Sequence, residues 1–190
     1  MSSTTSVKKS SSNTKSMVLT ALMAVFIAVC SWVSVPMNVP FTLQTFAVFC
    51  TLMLLGGRNG LFSVMIYILL GAIGIPVFSG FTGGIGIILG TTGGYIVGFI
   101  FMALIFWAFE KIPMKNKFGR ISLDIAAMLL GIAVLYAFGT VWYIYVYTAN
   151  TGEISILTAL KWCVIPFIPV DLIKMAAAVI ITKRIKKYVR

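Results

Sequence analysis

The chain has 190 residues, of which 60% are hydrophobic and 10% charged, with a mean hydropathy of +1.06; soluble domains hold about 45–50% apolar residues, so an ordinary soluble fold is excluded and an integral membrane protein indicated. The formal net charge of +11 would point to nucleic acid in a soluble protein, but these cations stand at the ends of apolar runs, where the cytoplasmic bias of Lys and Arg accounts for them. With no histidine in the chain, His-based acid–base chemistry and HExxH metal sites are excluded.

Residues 1–16 are mostly Ser, Thr and Lys and read as a flexible cytoplasmic tail. The apolar run that follows, 17–35, is long enough to span a bilayer, and no small-residue cleavage site with a soluble mature protein follows it, so it reads as the first membrane helix. Along it Thr20, Ala24 and Ala28 recur at four-residue steps and form one small-residue face. That face suits close packing within the chain or an external partner helix. Pro36 and Pro40 then impose an extended link, and Thr42, Gln44 and Thr45 place hydrogen-bonding groups at the mouth of a short second helix over 44–55. A turn over 56–60 leads to a third helix over 61–75.

The segment 76–94 carries seven glycines, Gly80, Gly83, Gly84, Gly86, Gly90, Gly93 and Gly94, and no charge. Such a stretch can run as non-helical backbone lining a cavity, or it can pack helices closely. The interleaved hydroxyls of Ser79, Thr82, Thr91 and Thr92 favour the cavity. It is not a phosphate loop, since neither a dinucleotide fingerprint nor a Gly-Lys-Ser/Thr occurs. A fourth helix, 93–109, opens near Tyr95; a cation-rich loop follows; and a fifth, 122–147, carries Trp142 and Tyr143, whose rings could cover a ligand or belong to an interfacial belt. After an outer loop over 149–161 comes a sixth helix, 162–182. The three cysteines, Cys30, Cys50 and Cys163, lie in apolar runs without paired spacing, which indicates neither a disulfide framework nor a zinc site.

Within the sixth helix, Pro166-Phe-Ile-Pro-Val-Asp-Leu-Ile-Lys174 sets a carboxylate and an ammonium three residues apart on one face. Each charge at bilayer depth costs at least about 2.5–3.5 kcal/mol. An internal ion pair locking the helix, or a polar clamp for a small ligand, would justify keeping them. An intramembrane enzyme is disfavoured, because Asp171 is the one carboxylate expected inside the membrane and no activated nucleophile is evident. Of the 15 Lys and Arg residues, Lys174 is intramembrane and Lys161 alone falls on the side opposite the termini. This asymmetry places both ends in the cytoplasm of a six-span protein.

Val39-Pro-Phe-Thr-Leu-Gln-Thr-Phe46, Gly74-Ile-Pro-Val-Phe-Ser-Gly80, Leu89-Gly-Thr-Thr-Gly-Gly-Tyr95 and Pro166 to Lys174, in that order, together resemble the BioY family, the biotin-specific substrate-binding subunits of energy-coupling factor transporters. Thr91 departs from the pattern, standing where proline is expected in many members. The resemblance implies an all-α bundle of six transmembrane helices in the bacterial plasma membrane, both termini cytoplasmic, capturing biotin from outside without a cofactor or catalysis. The implied partners are a membrane coupling subunit and two ABC-type ATPases, with Ala24 and Ala28 docking on the coupling subunit. In the ligand site, Asp171 would accept from the ureido N–H groups, and Lys174 would serve the ureido oxygen or keep Asp171 ionised. Tyr95 and Trp142 would cover the ring. Thr42, Gln44, Ser79 and the glycine-rich stretch at Gly83, Gly84, Thr92 and Gly93 would meet the carboxylate. Lys174 on the carboxylate is the reverse arrangement, and a sister subunit for another small vitamin is the alternative function.

Overall fold

The structure, a computed structural model, describes residues 4–37, 39–114 and 116–189, with side chains described from Thr14 to Tyr188. Residues 1–3 of the expected tail lie outside the described residues, as do Lys115, Arg190 and the side chains of Lys8 and Lys9 among the orienting cations. The elements in order are α1 (Thr4–Trp32), β1 (Ser34–Val35), β2 (Phe41–Thr42), α2 (Gln44–Ala72), a 3-10 turn (Ser79–Phe81), α3 (Ile85–Leu89), α4 (Gly93–Glu110), α5 (Lys117–Asn150), α6 (Ile156–Cys163) and α7 (Phe167–Val189). Among the described residues five helical stretches are long and apolar enough to cross a membrane: Thr14–Trp32, Gln44–Ala72, Gly93–Glu110, Lys117–Asn150 and Ile156–Tyr188.

The second and third helices expected from the sequence are the two arms of α2. Only Gly56 leaves the helical region, at φ 81° and ψ 171°, a conformation that favours glycine. The chain reverses there: Gly60 packs on the Leu52 side chain, and Gln44 Nε2 donates to Tyr67 Oη at 3.0 Å, so arms 44–55 and 57–72 lie antiparallel. The first amide of the second arm, Gly57 N–H, donates to Glu110 Oε2 at 2.6 Å, which supplies one of the partners a helix start lacks. α2 occupies the middle of the bundle against α1, α4 and α7, and α4 packs chiefly on α5.

Other departures have local causes. α1 begins at Thr4, inside the expected tail, because Ser, Thr and Lys without Gly or Pro can extend a helix already nucleated by the apolar run. The link after α1 is a short hairpin, Ser34 pairing with Thr42 and Val35 with Phe41. Part of the expected outer loop is α6, whose N-terminus is capped by Ser155 Oγ accepting from Thr158 N–H. Pro166 separates α6 from α7 because it has no N–H and disfavours helix in the residue before it.

Burial bears on two expectations. Ala24 and Ala28, expected to dock on the coupling subunit, are 1% and 5% exposed in this chain. The small-residue face is used within the chain, where it lets α1 approach the second arm of α2 and Ser63 Oγ donate to Thr20 O at 2.9 Å. The outward face of α1 is instead Leu22, Val25 and Val29. Asp171 is also not alone: Asp124 is a second buried carboxylate, one turn beyond Arg120 on α5. Its Oδ1 lies 2.7 Å from Arg120 Nη2, a charge contact without hydrogen-bond alignment.

Candidate functional site

Asp171 and Lys174 lie within the first two turns of α7, where their i,i+3 spacing directs both toward the start of α2. Their side chains are 3% and 6% exposed, and Lys174 Nζ stands 2.8 Å from Asp171 Oδ1. Burying such a pair is costly unless the remaining lone pairs and protons also find partners. They do. Thr45 Oγ1 donates to Asp171 Oδ1 at 2.8 Å and accepts from Lys174 Nζ at 3.0 Å. Tyr136 Oη, from α5, donates to Asp171 Oδ2 at 2.6 Å. The last Lys174 proton goes to the Thr42 carbonyl at 2.6 Å, and the ammonium sits 4.3 Å from the centroid of the Phe41 ring, where the π face favours it.

All three ammonium protons are therefore engaged by protein acceptors. The ionised carboxylate differs: of its roughly four acceptor positions, Oδ1 uses two and Oδ2 one. One acceptor position remains at Asp171, and Tyr136 Oη, its own proton committed, can still accept as well. The polar end of the site is thus preorganised as a hydrogen-bond acceptor.

This network forms one wall of a cavity of about 240 Å³ reached by α2, α4, α5, α6, α7 and the 73–92 connection. Phe78, Ile96, Phe99, Leu135 and Phe167 supply apolar walls, and Tyr95, hydrogen-bonded through its hydroxyl to Thr140 at 3.1 Å, supplies an amphipathic one. Gln44 is fixed by Tyr67, whose ring meets Phe78 edge-on at 5.5 Å. Ser79 and Thr82 line the less buried part. Among the described residues no group of three His, Cys, Asp or Glu side chains could hold a metal. An apolar pocket with a few convergent polar groups is the form expected of a small-molecule site.

Of the residues the sequence selects, Asp171, Lys174, Thr42, Gln44, Ser79, Thr92 and Tyr95 line this cavity, whereas Gly83, Gly84, Gly93 and Trp142 do not. Gly83 and Gly93 are packing positions, and Gly84 has open space beside it but a φ of 102°, which favours glycine. A Cβ on Gly83 would stand 2.4 Å from Ile75 O and one on Gly93 1.6 Å from Ile88 O, while Gly84 N–H donates to Gly71 O at 2.6 Å. Trp142 props the connection from outside the cavity: its Nε1–H donates to Gly90 O at 3.0 Å, and its side chain lies on Gly94. The sequence reading passes over Tyr136 and leaves Thr45 without a role at the ion pair. The spacing of Tyr136, Gly139, Thr140 and Tyr143 at i, i+3, i+4 and i+7 marks one face of α5 and was the signal available for Tyr136.

A sequence profile described as the BioY family matches residues 3–190. The chain is 35% identical over 174 residues to the "Biotin transporter BioY" of Thermotoga maritima, spanning 91% of this chain and 96% of that one. It is 38% identical over 170 residues to the "Probable biotin transporter BioY" of Pyrococcus horikoshii, spanning 87% and 94%. Among solved structures it is similar to a crystal structure of the S-component for biotin from an ECF-type ABC transporter, with a TM-score of 0.76, 29% identity, and coverage of 98% of this chain and 95% of that one.

Proposed function

The chain belongs to the BioY family, and on that premise we propose that its cavity binds biotin through an acceptor wall built by Asp171 and Tyr136. It is a multi-pass membrane protein and the biotin-binding S component of an energy-coupling factor transporter, not an enzyme. Biotin carries two ureido N–H donors on an apolar fused ring, with a carboxylate at the end of a flexible tail. The observation that carries the assignment is the donor count: Lys174 has no proton left, while Asp171 Oδ2 and Tyr136 Oη retain acceptor capacity. The ureido group matches that wall, the ring matches Tyr95, Phe99 and Leu135, and the tail runs toward Thr42, Ser79 and Thr82. In this arrangement Lys174 acts by keeping Asp171 ionised and oriented.

The antiparallel arms of α2 support two separate crossings, which with the other four stretches makes six spans. The bias of cations toward one end supports cytoplasmic termini. The energising partners are a membrane coupling subunit and two ABC-type ATPases.

Calorimetric titration of biotin into the unchanged protein and Asp171→Asn tests the assignment. A hydrogen bond to a charged group contributes about 1.5–3 kcal/mol, so affinity is expected to fall by at least about tenfold. Unchanged affinity would remove Asp171 from the site. Parallel titrations with biotin amide on Lys174→Ala locate the lysine: equal losses for acid and amide fit the ureido end, and a loss confined to the acid moves Lys174 to the carboxylate.

A further inference from the structure

A second concavity, of about 470 Å³, runs down the outside of the bundle between α1, the first arm of α2 and α7. Leu22, Val25 and Val29 form one side, Phe46 and Leu54 its floor and Ile185 the other side. Thr182 contributes the only hydroxyl, and that group is turned inward, donating to Ala178 O at 2.6 Å. Leu22 and Val29 are two helical turns apart, so the slot follows the helix axes for about 10 Å. A narrow aliphatic slot parallel to membrane helices suits a hydrocarbon chain and offers nothing to a polar ligand.

Charge defines one end of this slot. Lys15 precedes Leu22 by seven residues and shares its face of α1. On α7, Arg184 follows the lining residue Ile181 by three positions and so flanks the slot, whereas Lys183 falls on the far side of the helix from Ile181 and Ile185. The chain has four Asp and Glu residues, and each lies elsewhere. Asp171 holds Lys174, Asp124 holds Arg120, Glu110 accepts from Gly57, and Glu153 lies in the loop joining α5 to α6. Among the described residues neither Lys15 nor Arg184 forms an ion pair with any of these carboxylates.

We infer that the slot holds one acyl chain of an anionic phospholipid whose phosphate is bound by Lys15 and Arg184. The aliphatic walls select the chain, and the cations select the headgroup over a zwitterionic one. The site is separate from the biotin cavity, so ligand binding serves as an independent check of folding.

Native mass spectrometry of the full chain in mild detergent, with added phosphatidylglycerol or phosphatidylcholine of identical acyl chains, tests this inference. The unchanged protein is expected to retain one phosphatidylglycerol and to discriminate against phosphatidylcholine. The double substitution Lys15→Gln and Arg184→Gln is expected to weaken retention by about thirtyfold, the effect of losing two juxtamembrane cations. Leu22→Trp, which fills the slot with all cations present, is expected to weaken it comparably, with Val25→Phe taking its place if Leu22→Trp fails to bind biotin. Equal retention of both lipids, retention undiminished by filling the slot, or a second copy of the chain seated there in place of lipid would each overturn the inference.

Discussion

Two buried carboxylates with cationic partners at nearly the same distance behave as different structures. Lys174 and Asp171, 2.8 Å apart and both almost wholly inside, belong to a network in which Thr45, Tyr136 and the Thr42 carbonyl complete the bonding. Arg120 and Asp124 are 2.7 Å apart, but Arg120 is 28% exposed, and its other bond goes to the Glu110 carbonyl at 3.0 Å. A partly exposed arginine keeps much of its hydration, so the second pair needs less from its surroundings. A lysine with no water must have every proton taken by protein, which fixes its position and hence that of Asp171. Distance alone therefore does not identify a binding site; the complete set of partners does, together with the cavity against which one pair stands and the other does not.

Removing the cation from each pair sharpens this contrast and gives the largest expected effect. Lys174→Ala leaves a buried carboxylate uncompensated and is expected to cost about 3–5 kcal/mol of stability. Arg120→Ala is expected to cost roughly 1–2 kcal/mol, because water can follow the departing side chain and rebond Asp124. Denaturant unfolding of both variants in one detergent compares them. Equal losses would mean that the site pair is no more enclosed than the other, and the acceptor-wall assignment would lose its basis.

The next effect is smaller and lies within the network. Tyr136→Phe keeps the ring and deletes the proton that Asp171 Oδ2 receives, so the loss is expected to be about 1–3 kcal/mol in stability. It also removes an acceptor from the proposed ligand wall, so biotin affinity is expected to fall together with stability. Thr182→Val, at a buried hydroxyl bonded to its own helix, provides a comparison in which stability alone should change. If Tyr136→Phe also changes stability alone, Tyr136 only positions Asp171.

How legible these regions were from sequence follows from the range of their contacts. The ion pair could be read because i,i+3 spacing on a helix is local information. Its partners could not: Thr45 is separated from Asp171 by 126 positions and Tyr136 by 35, and no local period reports which faces of α2 and α5 turn toward α7. The same limit explains Ala24 and Ala28, where the small-residue repeat was evident but the helix it met was not. Glycine content showed that the 76–94 segment would be irregular or tightly packed; both occur, with Ser79 and Thr92 on the cavity and Gly83 and Gly93 against backbone. The turn between the arms of α2 was expected as several residues, whereas Gly56 alone makes the break.

Trp142 carries the smallest expected effect and separates lining from support. The sequence cannot distinguish a ring that covers a ligand from one that braces the segment around it. The structure places its Nε1–H on Gly90 O and its side chain against Gly94, outside the cavity lining, two residues from Thr92, which lines it. Trp142→Phe removes one hydrogen bond while retaining an aromatic body, a change worth about 0.5–1.5 kcal/mol. Its effect on biotin should appear as faster exchange of the 90–92 amides with solvent and a modest loss of affinity, without a change in preference between biotin and biotin amide. A ring touching the ligand would instead alter affinity with no change in amide exchange, so hydrogen-exchange mass spectrometry combined with the two titrations distinguishes a brace from a wall.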